Sequence, residues 1–323
     1  MSLVLITGAT GFIGSQVALR TLEAGFNVCL VVRREGQIEK LCRIFSQYND
    51  RMKFAVVPDI TSPGGFDEAL QGVEYVIHVA SPLAGSGSDL LTPAVKGTLS
   101  VLQSAVNVSG IRKVVITASV LSLIPMRPVK DGLVVREDNE VEFTIDAESL
   151  RTLPPMAQYH ASKLAAHKAV LDFAATNNAP FDVVTIHPVF VFGRSLIQET
   201  ADQLGGTNGL LFKSLVSETP LMDRFDGVHV DDVAAAHVKA LTTKGSTING
   251  VQPYLLAAEQ RSWREVYAFL TTRYPSLPLK LKPMDSPGYT VDTTRAQREL
   301  GIVFRPMEEQ VADVVDQQLK LRA

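Results

Sequence analysis

The sequence predicts an α/β fold, a doubly wound parallel sheet followed by a smaller, mostly helical C-terminal unit. Three observations carry that expectation. Short β-branched apolar runs alternate with longer helical patterns. A glycine-spaced turn joins the first run to the first helical pattern, and the alternation breaks after Pro188. The strand-like runs are residues 3–7, 27–32, 52–57, 75–79, 113–118 and 181–186. They are almost continuously apolar, as strands covered on both faces must be. Helical patterns fill the gaps at 12–24, 37–48, 66–70, 90–108 and 156–176. Residues 193–230 are rich in Gly, Ser and Thr, with one helix expected near 210–217. Asp231 or Asp232 is placed to cap a helix running through Leu241. A strand at 251–257 and helices at 263–273, 293–300 and 308–321 complete the chain.

Composition narrows the function classes. With 323 residues, 46% hydrophobic and 20% charged, the chain reads as a globule and not as a disordered segment. Its formal charge of −3 offers no basic excess to nucleic acid or an anionic membrane, so any phosphate recognition is local. Cys29 and Cys42 cannot form a disulfide scaffold or a four-ligand zinc site alone, and the six histidines are scattered, so no metal is expected. The apolar stretch 114–126 is shorter than the roughly 20 residues a membrane helix needs. The N-terminus lacks a positively charged leader, and a cytoplasmic location is expected.

The turn after the first strand reads Thr7-Gly8-Ala9-Thr10-Gly11-Phe12-Ile13-Gly14. Glycines there permit the tight turn, admit a pyrophosphate to the backbone and let the helix pack on the strand. The helix N-terminus adds N–H groups and a partial positive charge. This strand–turn–helix context indicates a Rossmann-type dinucleotide site through Gly8, Thr10, Gly11, Phe12, Ile13 and Gly14. The second strand ends in Arg33-Arg34 with no carboxylate at its tip. A guanidinium there can fork onto a 2′-phosphate, which favours NADP(H) over NAD; the bland alternative is two solvated charges. Asp59-Ile60 follows the third strand, where Asp59 can accept from an adenine or merely cap a turn. Small residues Ala80 and Ser81 after the fourth strand let a cofactor pass close to backbone.

Tyr159 and Lys163 form the chain's only Tyr-x-x-x-Lys, and that spacing puts both on one helix face. A phenol has a pKa near 10, and a neighbouring ammonium is expected to lower it. Tyr159 can then exchange a proton with a carbonyl oxygen. Ser119 ends the fifth strand, at the edge where such sheets bind ligands, and can polarise the same oxygen or serve as a turn residue. Pro154-Pro155 suits a helix start just before Tyr159. His187-Pro188-Val189 follows the sixth strand, with Pro188 stiffening the chain; His187 suits a structural role more than a second acid/base. His160 and His167 read as packing or surface residues, and His229 with Asp231 resembles a His–carboxylate pair. No Gly-x-Ser-x-Gly accompanies that pair, so hydrolase chemistry is unsupported.

Together these segments resemble the extended short-chain dehydrogenase/reductases over nearly the whole chain. The carriers are TGATGFIG at 7–14, the arginine after the second strand, Asp59-Ile60, HVASP at 78–82, VKGT at 95–98, TAS at 117–119, YHASK at 159–163, HPVFVFG at 187–193, VHVDDVAAAHVKAL at 228–241 and the stretch from Asp292. Within the family the chain is most similar to the branch of dihydroflavonol reductases, cinnamoyl-CoA reductases and fungal aldehyde/ketone reductases. The resemblance implies Ser119, Tyr159 and Lys163 as a catalytic triad. It implies NADP(H) contacts at the glycine loop, Arg33, Asp59, Ile60, Ala80, Tyr159, Lys163 and the backbone of Val189. Departures are informative. The stretch QYHASK lacks the longer pattern of cinnamoyl-CoA reductases, which counts against CoA esters. Ala118 replaces a Ser of the dihydroflavonol reductases, and Arg194 stands where the family often has Pro.

The expected organisation is a dinucleotide-binding domain of residues 1–190 with returns near 228–258. Residues 191–227 and 259–323 form the expected substrate-binding subdomain. Leu83, Val120, Leu121, Phe190 and Phe192 are candidate substrate-pocket residues, with core packing as their alternative. The expected activity is NADPH-dependent reduction of a small carbonyl compound to an alcohol, by a monomer or homodimer. The competing readings are a hydroxysteroid dehydrogenase or nucleotide-sugar epimerase or dehydratase of the same superfamily, and an NADPH-sensing regulator. The arginine pair and the apolar candidate pocket count against a sugar enzyme. Retention of Ser119, Tyr159 and Lys163 counts against a sensor.

Overall fold

The computed structural model describes every residue except 83–88, 127–131, 143–149, 151, 223 and 286–287. Its centre is a seven-stranded sheet of β1 (Leu3–Thr7), β2 (Asn27–Val32), β3 (Met52–Val56), β4 (Tyr75–His78), β5 (Lys113–Thr117), β6 (Asp182–Pro188) and β7 (Val251–Leu256). Neighbours run in the order β7-β6-β5-β4-β1-β2-β3, and every pairing is parallel. The order reverses between β1 and β4, which opens the crevice where such sheets take their ligands.

The continuous apolar runs are explained by burial on both faces. Val4, Ile6, Val28, Leu30, Ile77, Val115 and Val184 join one core cluster, while Leu5, Cys29, Val31, Val76, Val114, Ile116 and Val183 join a second. The period-2 alternation of a strand sends successive side chains to opposite cores. The first core is covered by α1 (Phe12–Glu23), α2 (Ile38–Ile44) and α6 (Val230–Thr242), the second by α3 (Leu91–Val106) and α4 (Pro155–Thr176). Between them in sequence lies α5 (Gly206–Leu215); α7 (Trp263–Arg273), α8 (Thr294–Leu300) and α9 (Met307–Arg322) follow. A third cluster gathers Phe192, Leu211, Phe225, Trp263, Val266 and Val311. The Trp263 indole N–H is satisfied by the carbonyl of Met222 at 3.1 Å. Two short parallel pairs complete the fold, Phe190–Phe192 with Gly227–His229 and Val134–Val135 with Thr290–Val291.

Three expectations are corrected. Residues 66–70 form consecutive turns and no helix. One i→i+4 bond, from Leu70 N to Phe66 O, is followed by i→i+3 bonds, and glycines at 64, 65 and 72 bound the segment too tightly for a helix to propagate. The helical pattern at 37–48 stops at Ile44, and residues Ser46–Arg51 tighten into a 3₁₀ turn. Neither Asp231 nor Asp232 caps α6; the cap is His229, whose Nδ1 accepts the Asp231 N–H at 3.1 Å. Both carboxylates instead lie in the first turn, where the helix dipole favours negative charge. Among the described residues no helix is long and apolar enough to cross a membrane, and no group of three metal-ligating side chains gathers.

Candidate active site

The site lies along the carboxyl ends of the strands. Gly8 follows β1, Arg33 follows β2, Asp59 lies beyond β3, Ala80 and Ser81 follow β4, Ser119 lies beyond β5, and Pro188 closes β6. Gly8 adopts φ +77°, and a Cβ there would stand 2.8 Å from the Ala80 nitrogen. A Cβ at Gly14 would overlap the carbonyl oxygen of Gly8. The loop is braced by Gly11 N donating to Gly8 O at 2.9 Å. Gly11 caps α1 without a side-chain bond, and no acidic residue sits in the first turn. Thr10, Phe12 and Ile13 are only partly buried around this cap. A helix N-terminus with no side-chain cap and no carboxylate in its first turn fits the pyrophosphate of a dinucleotide.

Arg33 and Arg34 are exposed, and among the described residues neither guanidinium has a carboxylate bonded to it. Their edge therefore keeps two uncommitted cations, as a 2′-phosphate requires. Asp59 takes the turn alternative: its Oδ1 accepts from Thr61 N at 2.8 Å and from Thr61 Oγ1 at 2.7 Å. Those bonds, with the nearby charge of Arg33, hold the carboxyl below its ordinary range. Ile60 packs its side chain towards Gly97 of α3. The backbone N–H of Ala80 is committed to Thr7 Oγ1 at 3.1 Å, and that of Val189 to Leu256 O at 3.1 Å. The Val189 backbone contact implied by the resemblance is thus limited to its carbonyl.

Tyr159 and Lys163 lie one turn apart in the first half of α4, which starts at Pro155 with Pro154 as its cap. The helix is tied to the turn after Ser119 by His160, whose Nε2 donates to Ile124 O at 2.8 Å. Ser119 caps that turn: its Oγ accepts from Leu121 N at 3.2 Å and keeps its own hydrogen for another acceptor. Its backbone is fixed from behind. Ser122 Oγ donates to Ser119 O at 2.5 Å, and His187 Nδ1 meets Ser122 Oγ at 2.9 Å and Ser119 O at 3.2 Å. The other His187 nitrogen meets Thr185 Oγ1 at 2.8 Å. Burial holds the His187 imidazole far below its ordinary range, so it stays neutral and structural. The sequence suggested a structural role for His187 but not these partners. Its one signal is polarity, since Ser122, Thr185 and His187 stand in otherwise apolar segments.

Lys163 is buried and its Nζ donates to Ser81 Oγ at 2.8 Å. It stands 5.2 Å from the centre of the Tyr159 ring. Burial lowers the lysine to about 8 and raises the Tyr159 phenol to about 12. The expected lowering of the phenol by the ammonium is not found; burial raises the phenol instead.

The candidate pocket residues divide. Phe192 is fully buried and stacked on Phe225 at 5.3 Å between ring centres, and Val120 is buried in the first core, so both are packing residues. Leu121 and Phe190 are partly buried and keep an accessible face. Leu83 lies outside the described residues. His229 pairs with Asp313 and not with Asp231: its Nδ1 is taken as an acceptor, so Nε2 carries the proton and donates to Asp313 Oδ2 at 3.1 Å. Arg194 is exposed, and with His229 it holds the Asp313 carboxyl below its ordinary range.

Comparison with known proteins agrees with this architecture. The family described as "NAD dependent epimerase/dehydratase family" matches residues 4–250. The chain is 39% identical to ketoreductase sphI of Aspergillus fumigatus, over 98% of each chain. It is 31% identical to ketoreductase CTB6 of Cercospora beticola, over 99% of this chain and 96% of the other. Among solved structures it resembles Gre2 of Candida albicans, a protein crystallised with NADPH, at a TM-score of 0.85 and 27% identity, with both chains fully covered.

Proposed function

The chain belongs to the NAD dependent epimerase/dehydratase family and is an oxidoreductase, and from that premise we propose that it is an NADP-dependent carbonyl reductase that converts an aldehyde or ketone to an alcohol. The observation that carries the reading is the placement of Ser119, Tyr159 and Lys163 at the same sheet edge as an open glycine cradle and an uncommitted arginine pair. The amide hydrogens at the start of α1, from the loop Gly8–Gly14, hold the pyrophosphate, and Arg33 with Arg34 beside it holds the 2′-phosphate. Asp59, Ile60, Ala80, Ser81, Pro188 and the carbonyl of Val189 line the remaining path. NADPH, when bound, supplies the hydride that adds to the carbonyl carbon.

The chain's own groups manage the oxygen. Ser119 donates its hydroxyl hydrogen to the carbonyl oxygen and polarises it. Tyr159, which keeps its proton throughout the neutral range, transfers that proton to the oxygen as the alcohol forms. Lys163, held by Ser81, places its ammonium beside the phenol and stabilises the phenolate that this transfer leaves. Residues 1–190 with returns near 228–258 serve the dinucleotide, and residues 191–227 and 259–323 shape the substrate side, with Leu121 and Phe190 as apolar contacts.

The test is oxidation of NADPH and of NADH by the purified protein across a panel of aldehydes and ketones. Turnover with NADPH, weaker by about tenfold or more with NADH, is the expected result. Tight retention of NAD with conversion of a nucleotide sugar, or binding of NADPH with no turnover of any carbonyl compound, would overturn the reading.

A further inference from the structure

A cavity of about 20 Å³ lies against Lys163, with His78, Ser81, Thr117, His167 and Thr185 among its walls. Two of its imidazoles bring buried nitrogens that have no hydrogen-bond partner among the described residues, His78 Nε2 and His167 Nδ1. The tautomer of His78 follows from valence. Thr7 Oγ1 accepts the N–H groups of Val79 and Ala80, each at 3.1 Å, which occupies both of its lone pairs. Its single hydrogen therefore goes to His78 Nδ1, 3.0 Å away. Burial keeps His78 neutral, with its titration lowered to about 4. Its own proton sits on Nε2 as a donor among the cavity walls.

A buried donor with nothing to bond is costly, and buried polar groups in proteins are nearly always paired. A water needs roughly 10–15 Å³ and two to four polar partners. The cavity has the volume, one imidazole donor in His78, one unpaired imidazole nitrogen in His167, and a lysine with three N–H bonds of which Ser81 takes one. We infer that this cavity holds one ordered water, gripped by His78 Nε2 and His167 Nδ1, and that this water accepts an N–H bond of Lys163 and positions the ammonium beside Ser81. His78 and His167 are then positioning residues for Lys163. The water site stands independently of the reductase reading; only its consequence for catalysis rests on it.

The groups facing Lys163 are few. On its own helix they are Tyr159 and His167; β4 and its loop supply His78 and Ser81; α3, β5 and β6 supply the neutral Thr98, Thr117 and Thr185. His187 of β6 stands behind His167, with ring centres 4.9 Å apart. No carboxylate is among the described cavity walls, so hydrogen bonds are what favour the charged lysine there.

Two measurements on the full chain test this, and neither needs turnover. The first is a crystal structure fine enough to show waters. It should place one water within about 3.2 Å of both imidazole nitrogens. The second is NMR titration of protein labelled at lysine Cε, with the Lys163 signal identified by its loss in Lys163→Arg. His167→Phe keeps an aromatic ring against His187 and removes the nitrogen that would hold the water. It should lower the Lys163 titration by about half a pH unit or more, because the ammonium gains more from the water than the neutral amine does. His78→Phe should lower it further; if that variant fails to fold, His167→Phe decides. A dry cavity in the wild type, or Lys163 titrating alike in wild type and His167→Phe, would overturn the inference. A protein with the water and the shift but no carbonyl turnover would retain the inference and lose the proposed function.

Discussion

Tyr159 and Lys163 hold opposite positions on the pH scale, and burial sets both. The phenol, pushed up to about 12, is an acid that never runs out of proton near neutrality. The lysine, brought down to about 8, is the group that changes charge first as pH rises. Desolvation lowers a lysine by disfavouring its ammonium, so the charged form that supports the phenolate is present below about 8 and is lost above it. The kcat/KM for reduction should be flat through neutral pH and fall by about tenfold per pH unit well above 8. A profile level to pH 10 would show that the charge of Lys163 is not used. The i, i+4 spacing made this pair legible in the sequence. The strength of burial was not legible, because it is set by tertiary packing and not by local spacing. Asp59 shows the same limit: its sequence position suited adenine or a turn, and its Oδ1 is held by Thr61.

At the level of elements, the turn into α1 shows why two positions are glycine. Gly8 needs a positive φ and close approach to Ala80, while Gly14 packs its Cα against the Gly8 carbonyl. Gly14→Ala should destabilise the protein by about 1–3 kcal/mol through overpacking and weaken NADPH binding, read from thermal melting and a cofactor titration. Unchanged melting and binding would mean that the loop relaxes at no cost. This element was legible because glycine spacing, strand and helix all agree. Residues 66–70 misled because five apolar and acidic residues suit a helix, yet neighbouring glycines leave no length for one. The start of α6 misled for another reason. Asp is a common cap, but a histidine whose Nδ1 accepts can fill the same role, and the two aspartates answer to partners far along the chain.

Those partners matter to the molecule as a whole. Arg20 of α1 and Arg305, just before α9, converge on Asp231, and Arg305 also pairs with Asp232. The cluster ties the two ends of the chain to α6 beside the first core. Removing one partner strands a buried carboxylate, so Arg305→Met should lower stability by about 2 kcal/mol, less than for a fully buried pair because the arginine is a third exposed. The urea midpoint reads this; an unmoved midpoint would show that the Arg305 pairs add nothing to stability. A parallel sheet covered on both faces was legible, since its strands are almost continuously apolar and feed two cores. Pairings such as Arg305 with Asp232 were not, because nothing local marks which distant arginine a first-turn aspartate will meet.

The chemistry assigned to this edge rests most heavily on the proton held by Tyr159. The direct measurement is kcat for NADPH oxidation with the preferred carbonyl substrate in wild type and Tyr159→Phe, with NADPH affinity measured beside it. A loss of about 100-fold or more in kcat is expected, with NADPH affinity kept within a few fold. Turnover in Tyr159→Phe close to that of the wild type would contradict it.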